Sequence, residues 1–330
     1  MAEENAPQDV TRRIQPILDK VAVEGLRAWL KTIGFSVPRL TRAGITELVA
    51  KHISEGQLTE AALEATLIGF EEASNMRIYL FHFDDEADAT AAKNTVLLRL
   101  KQFGIPVTNE RKFAGDRKNP MSPVYALIEG PFLRVKWAEE QTNVKFDPQT
   151  MEAKQQPVSK RVVLIADYKA RTAELRLNPP ENRHGHVDAG GRMTAEAYYG
   201  DYIKKSIDIL GCKIVPMELR PVIKRLVKQN DPRAVRIQID DHTNQGNYKN
   251  KTTGPRADVR DSADWQLTYQ EYGATWAWDA QSFYWLPRAS SGFLKREVYT
   301  HINADEGFVN VNADCSDGEV EYVISRIRAR

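Results

Sequence analysis

Four groups of residues in this 330-residue chain carry side chains that could do chemistry. His184-Gly185-His186-Val187-Asp188 sets two imidazoles and a carboxylate at alternate positions, which fall on one side of an extended backbone. Such a set suits Zn²⁺, Mn²⁺ or Fe²⁺, and the metal would activate water for phosphodiester or amide hydrolysis. Three adjacent ligands do not complete a site, and Asp240-Asp241-His242 is the one other candidate cluster. The segment therefore reads as a polar loop first, with no metal or cofactor expected. Asp167-Tyr168-Lys169 has the acid-x-Lys order of a restriction-type nuclease core, for which Glu129 would be the second acid.

The third group is basic. Side chains two apart on a strand share a face, so Arg134 projects with Lys136 and Lys169 with Arg171. With Lys145, Lys160, Arg161 and Arg176 they could form a stripe matched to phosphates spaced along a nucleic-acid backbone. The competing reading is a solvated face opposite the core. Arg111, Lys112, Arg117 and Lys118 sit in a Pro/Lys/Arg-rich loop, placed either to reach phosphate or to keep the loop soluble. The fourth group is the aromatic C-terminal quarter. Its Trp and Tyr residues could stack on bases or anchor a protein interface, and more often such residues fill a sheet core. No Walker loop, dinucleotide glycine fingerprint or G-x-S-x-G is present.

Elements must position these groups. The first 75 residues have helical spacing: Ile14, Ile17, Leu18 and Val21 behind a Thr11 cap, then Leu26, Trp29, Leu30 and Ile33 up to Gly34. Ile45, Leu48, Val49 and Ile53 follow between Thr41 and Gly56, and Leu63, Leu67 and Phe70 follow Thr59. At Met76 the period changes. Met76–Phe83 predicts a strand, and Val96, Leu97, Leu100 and Phe103 predict a helix closed by Gly104.

Strands are expected at Val124–Glu129 and Phe132–Ala138 around Gly130-Pro131, and at Arg161–Lys169 paired with Ala173–Leu177. Residues 139–160 read as a long loop or loose hairpin. Thr194 caps a helix ended by Gly211, and a helix around Met217–Gln229 presents Arg220, Lys224, Arg225 and Lys228. Ala234–Ile239 reads as a strand and Asn244–Arg260 as a flexible loop. Trp265, Trp276, Trp278 and Trp285 then lie in a strand-dense stretch that suggests an antiparallel meander.

Composition bounds the function class. Hydrophobic residues at 42% and charged residues at 28% exclude collagen-like, disulfide-scaffold and wholly disordered chains. No apolar run nears the ~18 residues of a membrane span, and the N-terminus lacks the order of a signal peptide. Cys212 and Cys315 lack ligand-spaced neighbours, so free thiols in a reducing compartment, cytoplasmic or nuclear, are expected. The net charge of +1 is uneven: residues 151–256 carry +8 and residues 257–330 carry −5. Either one surface faces a polyanion or the excess pairs with the acidic last quarter.

Two resemblances add to this. Val23–Ile53, with Leu26, Leu30, Gly34-Phe35, Arg42, Leu48 and Val49, resembles a SAP-like helix-extended-helix module. The resemblance implies DNA contact near Lys31, Arg39 and Arg42. A helical N-terminal domain followed by FLRVKWAEE (132–140), KRVVLIADYKARTAELRL (160–177) and CKIVPMELRPVIKRLV (212–227) resembles the CENP-N family of kinetochore proteins. That likeness, over about residues 20–230, implies a basic groove for nucleosomal DNA and a partner-binding C-terminal part.

The expectation is an α+β protein with a helical domain at 1–75, an α/β basic domain at 76–243 and a β-rich domain at 261–330. It is expected to be a non-enzymatic nucleic-acid-binding or adaptor protein, with duplex DNA as partner and assembly through residues 261–330. A metal-dependent hydrolase of nucleic acid and a protein-binding component of a defence or partition complex are the alternatives.

Overall fold

The computed structural model describes residues 6–19, 21, 23–35, 40–73, 75–113, 121–147, 152–178, 195–228, 235–237, 239–242, 248–251, 257–311 and 315–329. The α+β class is as expected. The chain forms two compact units, residues 76–217 and residues 1–75 together with 218–330.

The N-terminal segment folds into α1 (Ala6–Leu18), α2 (Val23–Thr32), α3 (Arg42–Ser54) and α4 (Glu60–Ala73). The i, i+3/i+4 positions Ile14, Leu18, Leu26, Trp29, Leu30, Ile45, Val49, Leu63 and Leu67 are the buried ones. Thr41 caps α3 by accepting from the Gly44 amide at 3.3 Å, and Thr59 accepts from the Ala62 amide at 3.1 Å. Thr11 does not cap α1, which already begins at Ala6.

The middle unit runs β1 (Met76–Phe83), α5 (Glu86–Gln102), β2 (Ser122–Glu129), β3 (Phe132–Asp147), β4 (Glu152–Asp167), β5 (Thr172–Leu177), α6 (Ala195–Leu210) and β6 (Ile214–Pro216). Its strands lie in the order β2-β3-β4-β5-β1, with β6 also on β1. Among the described residues every named pair is antiparallel where a mixed sheet was expected, with an isolated parallel bridge from Val107 to Ala126. One sheet face (Phe81, Phe83, Leu133, Val135, Trp137, Val162, Leu164, Leu175, Leu177) joins Ala92, Val96, Leu100, Tyr199, Tyr202 and Ile209 of α5 and α6 in one core. Leu97 and Phe103, expected on the buried face of α5, are exposed.

Of the two readings of residues 139–160, the hairpin holds and the loop does not: positions 139–147 and 152–160 are paired strand. β3 and β4 pair in unbroken register from Phe132–Asp167 to Asp147–Glu152. β2 stops at Ser122 opposite Ala138, and β5 stops at Leu177 opposite Val162. Among the described residues, positions 139–147 and 152–160 therefore continue past β2 and β5 as a two-stranded ribbon, roughly 30 Å long at ~3.4 Å per residue.

The chain continues with α7 (Arg220–Lys228), β7 (Val235–Arg236), β8 (Ile239–His242), β9 (Tyr248–Lys251), α8 (Ala263–Tyr272), β10 (Ala280–Trp285), β11 (Val298–Asn303), β12 (Phe308–Val311) and α9 (Asp317–Arg328). The order β12-β11-β10-β7 makes the expected antiparallel meander. Trp265 and Tyr269 stand on α8 rather than on a strand, stacked at 4.8 Å. α9 packs on α4, which ties the last quarter to the first. The boundary expected at 243 thus lies at 217/218, and the separate first and third domains are one unit.

Candidate functional site

Of the expected basic stripe, Arg134, Lys136 and Arg176 come into neighbouring rows on β3 and β5, and those rows are closed to solvent. Tyr125, Lys136, Val163 and Arg176 are cross-strand neighbours in one row, and Leu127, Arg134, Ile165 and Glu174 in the next. Lys136 and Arg176 are both 0% exposed, and Arg134 and Glu174 are buried too. The Lys136 ammonium donates to the Lys112 carbonyl at 2.9 Å and lies 6.0 Å from the centroid of the Tyr125 ring. Arg176 Nε and Nη2 both reach Glu174 Oε1, at 2.8 and 2.6 Å. A buried cation holds its charge only where acceptors replace water. These groups have done so internally, and the structure removes Arg134, Lys136 and Arg176 from a phosphate-facing surface.

Lys169 and Arg171 also depart from expectation, because β4 ends at Asp167. They occupy the four-residue turn Tyr168–Arg171, with Arg171 at φ +56°, and both are exposed. The turn is set by Asp167, whose Oδ1 accepts from the amides of Lys169 and Ala170 at 2.9 Å each. This also answers the nuclease reading. Asp167 is spent on the turn, and Glu129 shares its face only across the intervening Phe132, two strand spacings or ~10 Å away. Two carboxylates so far apart do not share one metal ion. No group of three potential ligands is found among the described residues. His184, His186 and Asp188 lie outside them, as do Arg39, Arg117 and Lys118.

The remaining basic candidates divide. Lys31 and Lys112 are exposed, while Arg111, Lys160 and Arg161 are half-buried. Arg161 Nε donates to Asn178 Oδ1 at 3.3 Å. Arg42 does not offer its guanidinium to phosphate. Nη1 donates to the Leu18 carbonyl at 2.5 Å and Nη2 to the Val21 carbonyl at 2.9 Å, satisfying the end of α1 and the residues after it.

Lys145 lies on the ribbon directly opposite Lys154. Lys154 escapes a sequence reading because its link to Lys145 exists only once the register is known; the length of the strand run was the missing signal.

The charge excess read along the chain is partly cancelled in space. Arg220 pairs with Asp279, at 3.0 Å, and with Asp305. Arg236 Nη2 meets Glu297 Oε2 at 2.6 Å. Arg225 donates to the Arg326 and Ile327 carbonyls at 2.8 and 3.0 Å, and burial lowers its pKa. Counted over the two units, residues 76–217 carry 22 Lys/Arg against 18 Asp/Glu, while the other unit carries 24 against 27. The cationic character belongs to the middle unit.

Both cysteines are buried and neither forms a disulfide. Among the described residues no helix is long and apolar enough to cross a membrane. No protein-family model matches the sequence, and no curated protein is similar to it.

Proposed function

We propose that the chain is a non-enzymatic binding protein for duplex nucleic acid, most simply DNA, held by the β3–β4 ribbon of the middle unit. The observation that carries this reading is the overhang itself: a paired ribbon about 30 Å long on the unit with excess positive charge. A major groove about 12 Å wide admits a two-stranded ribbon, and one helical turn of duplex is about 34 Å. An isolated two-stranded hairpin is marginal in water, so the overhang is a segment that gains from a partner. Lys145 and Lys154 stand at one register position of the ribbon and are the residues proposed to meet phosphate.

Assembly through the last quarter is the second part of the reading. Leu267 and Phe293 are 66% and 64% exposed there, and Tyr272 is exposed as well. Light scattering should report an oligomer that the Leu267→Lys/Phe293→Lys double variant reduces.

The binding test is fluorescence anisotropy on a labelled duplex across a salt series. The affinity should fall steeply with salt. A Lys145→Glu/Lys154→Glu variant should bind more weakly, with a log–log salt slope reduced by about 2. A Lys136→Met variant that remains folded should keep the parent slope. No binding at low salt, or a slope indifferent to the ribbon lysines, overturns the reading.

A further inference from the structure

The sheet β12-β11-β10-β7 has a second, unexplained face. Its buried face carries Phe283, Trp285, Val298, Thr300 and Ile302. The alternate positions bring Arg236, Tyr284 and Tyr299 into one row, with Ser282, His301 and Asn310 in the next. Except for Arg236 these are half-exposed. The Arg236 guanidinium lies over the Tyr284 ring, 4.2 Å from its centroid, and Tyr284 sits 5.0 Å from Tyr299. Ser282 Oγ hydrogen-bonds Tyr299 OH at 2.9 Å and His301 Nδ1 at 3.1 Å.

Both ends of this face are unfinished. Arg236 is 5% exposed, and its bond to Glu297 uses Nη2 alone. Its Nε and Nη1 are buried without an acceptor among the described residues. At the far side Asn310 Oδ1 is buried without a donor among the described residues. A guanidinium that meets a carboxylate through one nitrogen leaves both of its two-donor edges half filled, and an oxyanion with several acceptor atoms completes an edge. Asn310, in contrast, asks for an N–H or O–H. Between the two stand a pair of aromatic rings and a hydroxyl–imidazole pair.

We infer that this face binds a nucleotide, with a phosphate monoester on Arg236, the base against Tyr284 and Tyr299, and a base donor directed to Asn310. The strands from β7 to β12 are three spacings apart, ~14 Å, a span covered by a phosphate, a sugar and a base laid in line. Aromatic platforms accept any base, so selectivity among bases rests on the Ser282, His301 and Asn310 groups. Glu297 is the resident competitor: the incoming phosphate displaces its carboxylate, whose side chain is 38% exposed and free to swing into water. The site lies within one unit and does not depend on the ribbon. The same chemistry is offered by a free nucleotide and by the 5′-phosphate end of a strand.

Calorimetric titration of the full chain tests the inference. The probes are the four nucleoside 5′-monophosphates, adenosine, inorganic phosphate, and one single-stranded oligonucleotide with and without a 5′-phosphate. At least one monophosphate or the phosphorylated oligonucleotide should bind at least tenfold more tightly than inorganic phosphate and than its unphosphorylated counterpart. If the oligonucleotide alone responds, the ligand is a strand end.

Arg236→Gln should abolish binding. Because Arg236 is buried, the exposed Glu297→Gln provides the second arm: removing the competing carboxylate should tighten phosphate-dependent binding by about tenfold in a protein whose melting shows it folded. Binding of inorganic phosphate as tight as any nucleotide overturns the inference. So does the absence of any binding, or an affinity indifferent to Glu297→Gln. Duplex affinity lost in the ribbon variant with nucleotide affinity intact separates the two sites.

Discussion

Gly211→Ala gives a decisive test of how the middle unit is built. Gly211 follows the last residue of α6 at φ +67°, and its amide donates to the Ile207 carbonyl at 2.7 Å. Arg99 of α5 lies across it. Arg99 Nε donates to the Ile209 carbonyl at 2.7 Å, and Nη2 to the Leu210 and Ala92 carbonyls at 2.7 and 2.5 Å. One side chain thus satisfies the end of α6 and pins it to α5. A Cβ at position 211 would fall 2.6 Å from Arg99 Nε and closer still to Cζ. Two costs follow. The left-handed backbone costs an L-residue roughly 1–2 kcal/mol, and displacing the guanidinium forfeits charge-assisted hydrogen bonds worth about 1.5–3 kcal/mol.

The sum, about 3–5 kcal/mol, is a large part of the 5–15 kcal/mol typical of a folded domain. Urea unfolding of the parent, Gly211→Ala, Arg99→Ala and the double variant separates the costs. In the Arg99→Ala background the glycine substitution should cost only the backbone share, about 1–2 kcal/mol, leaving a coupling of about 2 kcal/mol. Equal costs in both backgrounds would refute the contact. So would a Gly211→Ala variant as stable as the parent.

Three further outcomes are expected. Lys136→Ala should lower stability by roughly 2–4 kcal/mol, since it leaves a cavity and an unmet Lys112 carbonyl; Lys169→Ala and Arg171→Ala should stay within about 0.5 kcal/mol, all read by denaturant midpoint. Ser316→Ala should cost about 1 kcal/mol by the same assay, because Ser316 and Glu319 form a reciprocal capping box at the start of α9, whereas Ser316→Thr should retain most of it. Burial raises the pKa of Tyr168, against the opposing Arg99 charge, and raises that of Tyr202, helped by Glu139 and Asp201. Their neutral forms belong to the fold, so this stability is complete below the ordinary tyrosine pKa of ~10 and is lost as pH rises from there through the raised folded values. Alkaline unfolding that begins later in Tyr168→Phe and Tyr202→Phe variants would confirm the sign; an unchanged onset would count against it.

Much of the fold was legible in the sequence because local rules and burial agree. Met76–Phe83 was read to the residue, since aromatic and β-branched residues, a preceding run of helical spacing and an acidic turn all point the same way. Gly34, Gly56, Gly104 and Gly211 all sit at positive φ where a helical pattern stops. The ribbon was legible only as one of two alternatives, a hairpin or a loop, because Gln141, Asn143, Gln155 and Gln156 lack the apolar alternation of a half-buried strand. The strand there is held by its partner's backbone, and such pairing leaves little trace in either strand alone. α9 was missed although Ser316-x-x-Glu319 before Val320, Val323, Ile324 and Ile327 is a helix-start signature. The aromatic and β-branched residues that precede it favour strand and hide that signature.

The candidate site was less legible for a definite physical reason. Strand periodicity states which side chains share a face, and Arg134 with Lys136 does share one. It cannot state whether that face meets water. The usual assumption that charge marks the wet side fails when acceptors lie within reach. Here Glu174 faces Arg176 and a loop carbonyl meets Lys136, both brought in by residues distant in sequence. Net charge along the chain has the same blindness. Two cations of residues 218–256 fold beside acids of the last quarter, Arg220 with Asp279 and Arg236 with Glu297. Charge therefore locates a polyanion surface only after each pair closed inside a unit is subtracted. What survives the subtraction is a surplus of four cations over the middle unit as a whole, the ribbon itself carrying three lysines against four acids. What the subtraction exposes is Arg236, a cation whose Nε and Nη1 have no acceptor among the described residues.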